Sequence, residues 1–472
     1  MSSHNPHGNE ASPEDDEGGA MLDIDEAAEE IEGDPDAAMD SGSDEDPGMI
    51  QEIQLENDSV AHFDLHKDSI FCIAQHPTRP EIVATGGGDD VGYIFDAAPQ
   101  QPVLPPSYQS SPQPTERKSI PPLFKITGHT DSLNALTFTL PHGEYLLSAG
   151  LDGRLRAHKD TSSSSTGRSW EFLAEAQEVE EINWLKPCLH PNHPNTVALG
   201  ANDGSVWVYT VSAEDAASPL TIVQAFYLHT GSCTAGAWTP DGKLLATVSE
   251  DSSMYVWDVF GEAAAAGVSG EGQTVVGLTA ADQRFAVEGG LFSIAVAPSG
   301  TFVVVGGAGG MAKVVSLPKI GSQPTPSARK PSSRSSTQPS QILASLQPHT
   351  DSLETLSFSP HLLATGSSDG SITFLDPTHN FATRRHISNA HDGHAVVELD
   401  FVRDTQSAGW LLTSVGMDGV LRRWNTRGVT NAAAGQGLVG EWRGHRGDGE
   451  GGGVLGFVQG GGGGRVVTAG DE

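Results

Sequence analysis

Eight copies of one degenerate pattern run through this chain of 472 residues, and they constrain the fold more than any other feature. The clearest copy is His229 to Asp258, HTGSCTAGAWTPDGKLLATVSEDSSMYVWD. Each copy has an opening His or a substitute, a short apolar strand, a turn, a second apolar strand ending in small residues, then an Asp and a third strand. The openings fall near His66, His129, Glu178, His229, Glu288, His349, His391 and His445. The Asp positions are Asp89, Asp152, Asp203, Asp251, Asp369 and Asp418, with Gly309 standing in the fifth copy. The Trp position is Phe95, His158, Tyr209, Trp257, Val315, Leu375 and Trp424. One copy would mean little, but eight in register specify a repeat array whose units bury their faces against one another.

The residue types follow from strand physics. Leu244, Ala246 and Val248 share one face of a strand, and Pro240-Asp241-Gly242 is turn chemistry. A buried turn Asp needs hydrogen bonds, so His129 with Asp152 and His349 with Asp369 read as structural pairs; a Ser-His-Asp catalytic reading of the same residues is disfavoured. The pattern is the blade unit of a WD-repeat β-propeller. The expected fold is all-β, an eight-bladed WD-repeat β-propeller with a disordered acidic N-terminal tail.

The ends set the expected domain plan. Residues 1–50 form the tail and 51–472 the propeller. The last copy stops before its outer strand, while an orphan segment at 51–64 precedes the first His, which predicts that 51–64 is the closing strand. Seven blades is the alternative if the Gly-rich run from Gly447 to Gly464 does not fold. Pro- and Ser-rich insertions near 97–122 and 318–340 fall where connections between consecutive blades are expected.

Charge is the second informative feature. Residues 1–50 carry seventeen Asp or Glu and no Lys or Arg, about half of the net charge of −35. Such a segment cannot bury enough apolar surface to fold. The remainder is still acidic, which disfavours direct binding to nucleic acid and favours a basic protein segment as partner. Cys72, Cys188 and Cys233 lack metal or disulfide spacing and read as reduced core residues of a cytoplasmic, or also nuclear, protein. No apolar run is long enough to span a membrane. The histidines at 190, 193, 379, 386, 391 and 394 have no second ligand set at zinc spacing, so no metal or other cofactor is expected.

A binding rim can be read from position. In such a propeller the residue after the first apolar position of the inner strand, and the residue before the turn Asp, face the top of the channel. That collects Glu354, Glu250 and Glu472, with Glu181 and Glu398 close by, and places Phe71 and Phe292 at equivalent positions. Carboxylates from different blades suit Arg, whose planar fork binds them bidentately.

Three stretches carry a narrower resemblance: DSVAHFDLHKDSIFCIAQHPTRPEIVATGGGDDVGYIFD at 58–96, FKITGHTDSLNALTF at 124–138 and PHTDSLETLSFSP at 348–360. They resemble the angio-associated migratory cell protein family, whose fungal members include a dedicated chaperone of one large-subunit ribosomal protein. The resemblance covers about residues 51–472. It implies an eight-bladed propeller that captures the basic N-terminal segment of that nascent protein and holds it soluble until it is placed on the 60S particle; separately, a monomer without enzymatic activity is expected. The alternative is a scaffold or adaptor, in signalling or a ubiquitin-ligase complex, binding another basic or modified peptide.

Overall fold

The computed structural model describes residues 57–98, 119–161, 169–268, 273–320, 340–404, 409–427, 437–445, 452–460 and 462–471. The predicted 1–50 tail, residues 51–56 and Glu472 lie outside them.

Strands follow one another in space as they do in sequence. Blade 1 is Ile70–Gln75, Ile82–Gly87, Gly92–Asp96 and Pro122–Ile126 (β1–β4), and blade 2 is Leu133–Phe138, Tyr145–Gly150, Leu155–Asp160 and Trp170–Ala176 (β5–β8). Ile182–Pro187, Thr196–Ala201, Val206–Val211 and Leu220–Phe226 make blade 3 (β9–β12). Blade 4 is Cys233–Trp238, Leu244–Ser249, Met254–Asp258 and Thr274–Leu278 (β13–β16), with a short helix α1 at Glu262–Ala265. In blade 5 the strands are Leu291–Val296, Phe302–Gly307, Ala312–Ser316 and Ile342–Leu346 (β17–β20). Blade 6 is Leu353–Phe358, Leu363–Ser367, Ile372–Asp376 and Ala382–Ile387 (β21–β24), and blade 7 is Val396–Arg403, Trp410–Gly416, Val420–Asn425 and Leu438–Arg443 (β25–β28). Last comes a two-stranded sheet, Val454–Gln459 and Val466–Gly470 (β29, β30).

The expected all-β propeller is present, but its blade count is corrected. Among the described residues seven sheets have four strands, and the eighth position holds only β29 and β30. Their hairpin still closes the ring, because β29 packs against β25 on one side and β1 on the other. No described strand pairs with the free edge of β30. The described part of the predicted closing strand, residues 57–64, runs elsewhere. Asp58 N donates to Arg443 O (2.7 Å) beyond the outer strand of blade 7, and His62 bridges Ser119 ahead of the outer strand of blade 1. Phe63 stacks on Phe95 with ring centroids 4.5 Å apart, so its apolar burial is spent on blade 1.

The insertions are also relocated. Each joins the third strand to the outer strand of one blade, β3 to β4 and β19 to β20, and not one blade to the next. The edge of a blade is where extra length costs least.

The second strands are the most buried. Every residue of β2, β6, β10 and β14 is buried, because both faces contact neighbouring blades. These strands therefore read as apolar runs and not as alternating ones. The predicted turn at Pro240-Asp241-Gly242 forms with Gly242 at φ 70°, and a Cβ there would lie 2.2 Å from the His190 backbone nitrogen. Only glycine fits both demands. Cys72, Cys188 and Cys233 are buried and unpaired, and burial pushes the Cys188 and Cys233 thiols up to about 12.

Candidate functional site: the upper rim

The His and Asp of the copies that have them lie at one end of the blades, called the upper face below. They hold its loops. His66 contacts Asp89 (3.0 Å) and Thr85 (3.0 Å), His129 contacts Asp152 (3.2 Å) and Ser148 (2.9 Å), and His391 contacts Asp418 (2.8 Å) and Ser414 (2.8 Å). The predicted His349–Asp369 pair is indirect. His349 bonds Ser371 (2.6 Å), and Ser371 donates to Asp369 (2.5 Å), leaving imidazole and carboxylate 3.7 Å apart. Burial lowers the pKa of His229 and His349 to about 4, so both are neutral at pH 7. Each of these imidazoles has both nitrogens engaged inside its blade. In the fifth copy the position facing inward is Val287, not Glu288: it lies four residues before β17, the spacing His229 has to β13, and it is buried.

Above these networks the rim is built by one repeated bond. The residue before the turn Asp donates its N–H to the carbonyl of the residue just before the inner strand. Examples are Glu250 to Ser232 (3.1 Å), Asn202 to Glu181 (3.2 Å) and Ser368 to Ser352 (3.0 Å). The two-stranded sheet makes the same bond, Asp471 to Gly453 (3.0 Å). Asp471, not Glu472, is therefore the counterpart of Glu250. Its carboxylate accepts from Ser69 Oγ (2.5 Å), tying the last sheet to blade 1.

A bulge follows on the inner strand. Register slips between Ile70 and Cys72, Leu291 and Ser293, Leu353 and Thr355, and Val396 and Glu398. The skipped residue is unpaired and turned out of the ladder. This puts Phe71 and Glu354 exposed and Phe292 half-buried at equivalent positions of their strands. A Cβ on Gly88 would lie 3.2 Å from the Phe71 ring and 3.0 Å from the Asp68 carboxyl carbon, so these two side chains sit together.

Glu398 is the correction. The skipped residue of its strand is Val397, and Glu398 comes one place later, where Oε2 accepts the Phe457 N–H (2.9 Å) of the next inner strand. Ser293 Oγ ties its strand to the next at the same place by donating to Leu353 O (2.8 Å). Burial pushes the Glu398 carboxyl up to about 7. It is an inter-strand tie and not a rim carboxylate.

Sequence reasoning missed four acids. Asp68, Asp131, Glu180 and Asp351 stand two residues after the opening position of their blades and are exposed. In three of these blades the Asp also accepts the N–H of the next residue, Ser69 (2.8 Å), Ser132 (2.7 Å) or Ser352 (2.7 Å). The repeated His-x-Asp-Ser at 66–69, 129–132 and 349–352 was the available signal. With Glu181, Glu250, Glu354 and Asp471 the rim positions collect eight carboxylates, and none of the equivalent described positions is Lys or Arg. Such a surface can hold a cationic, extended ligand by charge-assisted hydrogen bonds.

At the opposite end, His190, His193 and Glu262 bring ligand atoms within 4.8 Å of one another. The bonding there describes an ion pair. His190 Nδ1 accepts the Asn192 N–H (3.1 Å), which puts its proton on Nε2, facing Glu262 Oε1 at 2.7 Å, while Lys243 holds Oε2 at 2.8 Å. No described helix is long and apolar enough to cross a membrane.

Comparison with known proteins agrees with the fold. The family model described as "WD domain, G-beta repeat" matches residues 120–158, 220–258 and 340–376. Each matched repeat runs from the outer strand of one blade through the third strand of the next, so sequence repeat and blade are offset by one strand. The ribosome assembly protein Sqt1 of Saccharomyces cerevisiae is 31% identical over 236 residues, 49% of this chain and 48% of that protein. The chain thus matches about half the length of that relative. Human angio-associated migratory cell protein is 24% identical over 80% of this chain and 73% of its own length. The crystal structure of Chaetomium thermophilum Sqt1 bound to the N-terminus of ribosomal protein L10 superposes with a TM-score of 0.77 at 52% identity, covering 88% of this chain and 98% of that one. With that identity over nearly the whole of the solved chain, this chain belongs to the WD-repeat family of Sqt1 and angio-associated migratory cell protein.

Proposed function

We propose that this chain is a dedicated, non-enzymatic chaperone that holds the basic N-terminal segment of a large-subunit ribosomal protein on its acidic upper rim and supports 60S assembly. One observation carries the reading: eight carboxylates occupy rim positions on six of the sheets, without a cation at any equivalent described position. The related Sqt1 complex with the L10 N-terminus supplies the kind of client. Phe71 and Phe292 offer apolar surface between the acids, against which the methylene stems of Arg or Lys can pack. We place this work in the cytoplasm and on a monomer. We further propose that the β29–β30 hairpin is the inner half of an eighth blade.

The test is calorimetric titration of the full chain with a peptide of the L10 N-terminus. The double variant Glu250→Lys, Glu354→Lys should bind more than about tenfold more weakly with its melting temperature unchanged, since truncated charge pairs cost about 2–5 kcal/mol. Wild-type affinity should also fall as salt rises, because the Debye length shortens from about 10 Å at 0.1 M to about 3 Å at 1 M. Unchanged affinity in the folded variant would remove the rim from the function.

A further inference from the structure

The third strand of several blades ends in Asp at the lower face, and what each Asp captures differs. Asp160 of blade 2 ion-pairs with Arg79 from the β1–β2 turn of the preceding blade. Asp376 of blade 6 accepts from Arg384 Nε (2.8 Å). Asp258 of blade 4 has no such guanidinium. It is 1% exposed, its Oδ2 accepts the Ala264 N–H (2.8 Å), and its Oδ1 has no hydrogen-bond partner among the described residues.

Blade 4 lacks both sources of a guanidinium: Arg384 stands at the bulge of the outer strand of Asp376's own blade, where blade 4 has Val275, and Arg79 comes from the turn of the preceding blade. Where blade 1 offers Arg79, blade 3 offers the His190–His193 turn. His190 is committed to Glu262, and His193 lies flat on Phe260 with ring centroids 3.7 Å apart and planes 2° from parallel. Lys243, the nearby cation, is also committed to Glu262. A cavity of about 360 Å³ is left, lined by Asp258, His193, Phe260, Gln224 and Gln273 among others. It therefore combines a buried carboxylate with an open valence, a planar aromatic wall and two amides that can accept hydrogen bonds.

We propose that this cavity binds the guanidinium of a peptidyl arginine from a partner protein. A flat, multi-donor cation fits a slot walled by stacked rings and ending at a carboxylate better than a compact ammonium does. Two other blades satisfy the same Asp with an arginine of the chain itself. Asp258 turns that internal contact into one available to another molecule. The site is at the opposite end from the acidic rim and is independent of the chaperone reading.

The experiment follows the His193 imidazole proton by NMR in the full chain, the signal being assigned with His193→Gln. N-acetyl-arginine amide should shift it saturably, and N-acetyl-citrulline amide, of similar shape but uncharged, should not. Asp258→Asn should weaken binding by about tenfold or more, as expected for loss of a desolvated charge partner. Phe260→Leu, which keeps most of the packing volume, should weaken it as well. The rim double variant should leave the titration unchanged, which separates this site from the client site. The proposal is overturned if the citrulline derivative binds equally, if folded Asp258→Asn and Phe260→Leu both bind as wild type, or if free L-arginine binds more tightly than the blocked derivative.

Discussion

Blades 4 and 5 are neighbours with the same four-stranded register, yet equivalent buried positions in them have opposite chemistry. In blade 4, His229 bonds Ser253 (2.6 Å) and Thr247 (2.8 Å), Trp257 Nε1 donates to Thr247 (2.8 Å), and Asp251 accepts the Ser253 N–H (2.8 Å). In blade 5 the same five positions are Val287, Met311, Val305, Val315 and Gly309. The valines are fully or almost fully buried and belong to one apolar cluster that also contains Leu244, Val248 and Val256 of blade 4. The polar network is thus not what makes a blade. A complete network or a complete apolar fill both work, because neither leaves a buried polar group unpaired; a half-network would.

The largest effect should come from exchanging the bulkiest member. Trp257 is buried and also satisfies Thr247. Trp257→Val, which copies the blade 5 residue into blade 4, should cost about 3–5 kcal/mol, read as a lower urea midpoint with unchanged slope. The reverse exchange, Val315→Trp, should cost about 1–3 kcal/mol through overpacking. If Trp257→Val costs under about 1 kcal/mol, the slot adapts to either residue and the contrast between the blades has no energetic content.

The two blades should also differ in acid. Burial holds the His229 pKa at about 4, below its ordinary 6.5. A histidine depressed in this way contributes stability that is fully present above pH 6.5 and is lost as pH falls toward 4, because the unfolded chain then binds the proton and the folded blade does not. The amount at stake is about 3 kcal/mol for this residue. Blade 5 has no titrating group at the equivalent site. His229→Val should therefore flatten the fall in melting temperature between pH 6.5 and 4, while Val287→Ala should leave that slope as in wild type. An unaltered slope in His229→Val would mean that other buried histidines, such as His349, account for all of it.

The same contrast shows what a sequence discloses. Strand positions were legible because burial writes them as apolar runs bounded by turn residues, and this held even in blade 5, which lacks the His and Asp marks. The opening of blade 5 was read one residue late, at Glu288, because an apolar substitute such as Val287 leaves no polar landmark. A one-residue error of the same kind exchanged Asp471 for Glu472. Glu398 was misplaced because an inner-strand bulge moves the rim position to Val397, and spacing alone does not reveal which residue is skipped. Phe71, Phe292 and Glu354 do stand at the skipped position of their strands, because they directly follow the first apolar residue, before the slip can displace them. The part played by segment 57–64 was not legible, since the apolar face that suits a closing strand equally suits packing of Phe63 on Phe95.

The smallest effect is the most diagnostic, because it asks whether blade 4 can be converted to the blade 5 solution step by step. His229→Val leaves Thr247 and Ser253 without their imidazole, and Thr247→Val leaves His229 Nε2 and Trp257 Nε1 without an acceptor or donor. Each single change should cost about 1–3 kcal/mol, the penalty for a buried polar group left unmade. In the double variant the imidazole and its hydroxyl partner go together, and only Ser253 and Trp257 Nε1 remain to be satisfied. The double should therefore cost less than the sum of the singles, with a coupling of about 0.5–3 kcal/mol, measured as a double-mutant cycle on urea unfolding. The corresponding blade 5 pair, Val287→Ala with Val305→Ala, removes only methyl groups and creates no orphaned hydrogen bond, so its cycle should close nearer to additivity. If blade 4 is as additive as blade 5, its histidine and threonine act as independent packing elements, and the all-or-none account of the polar network fails.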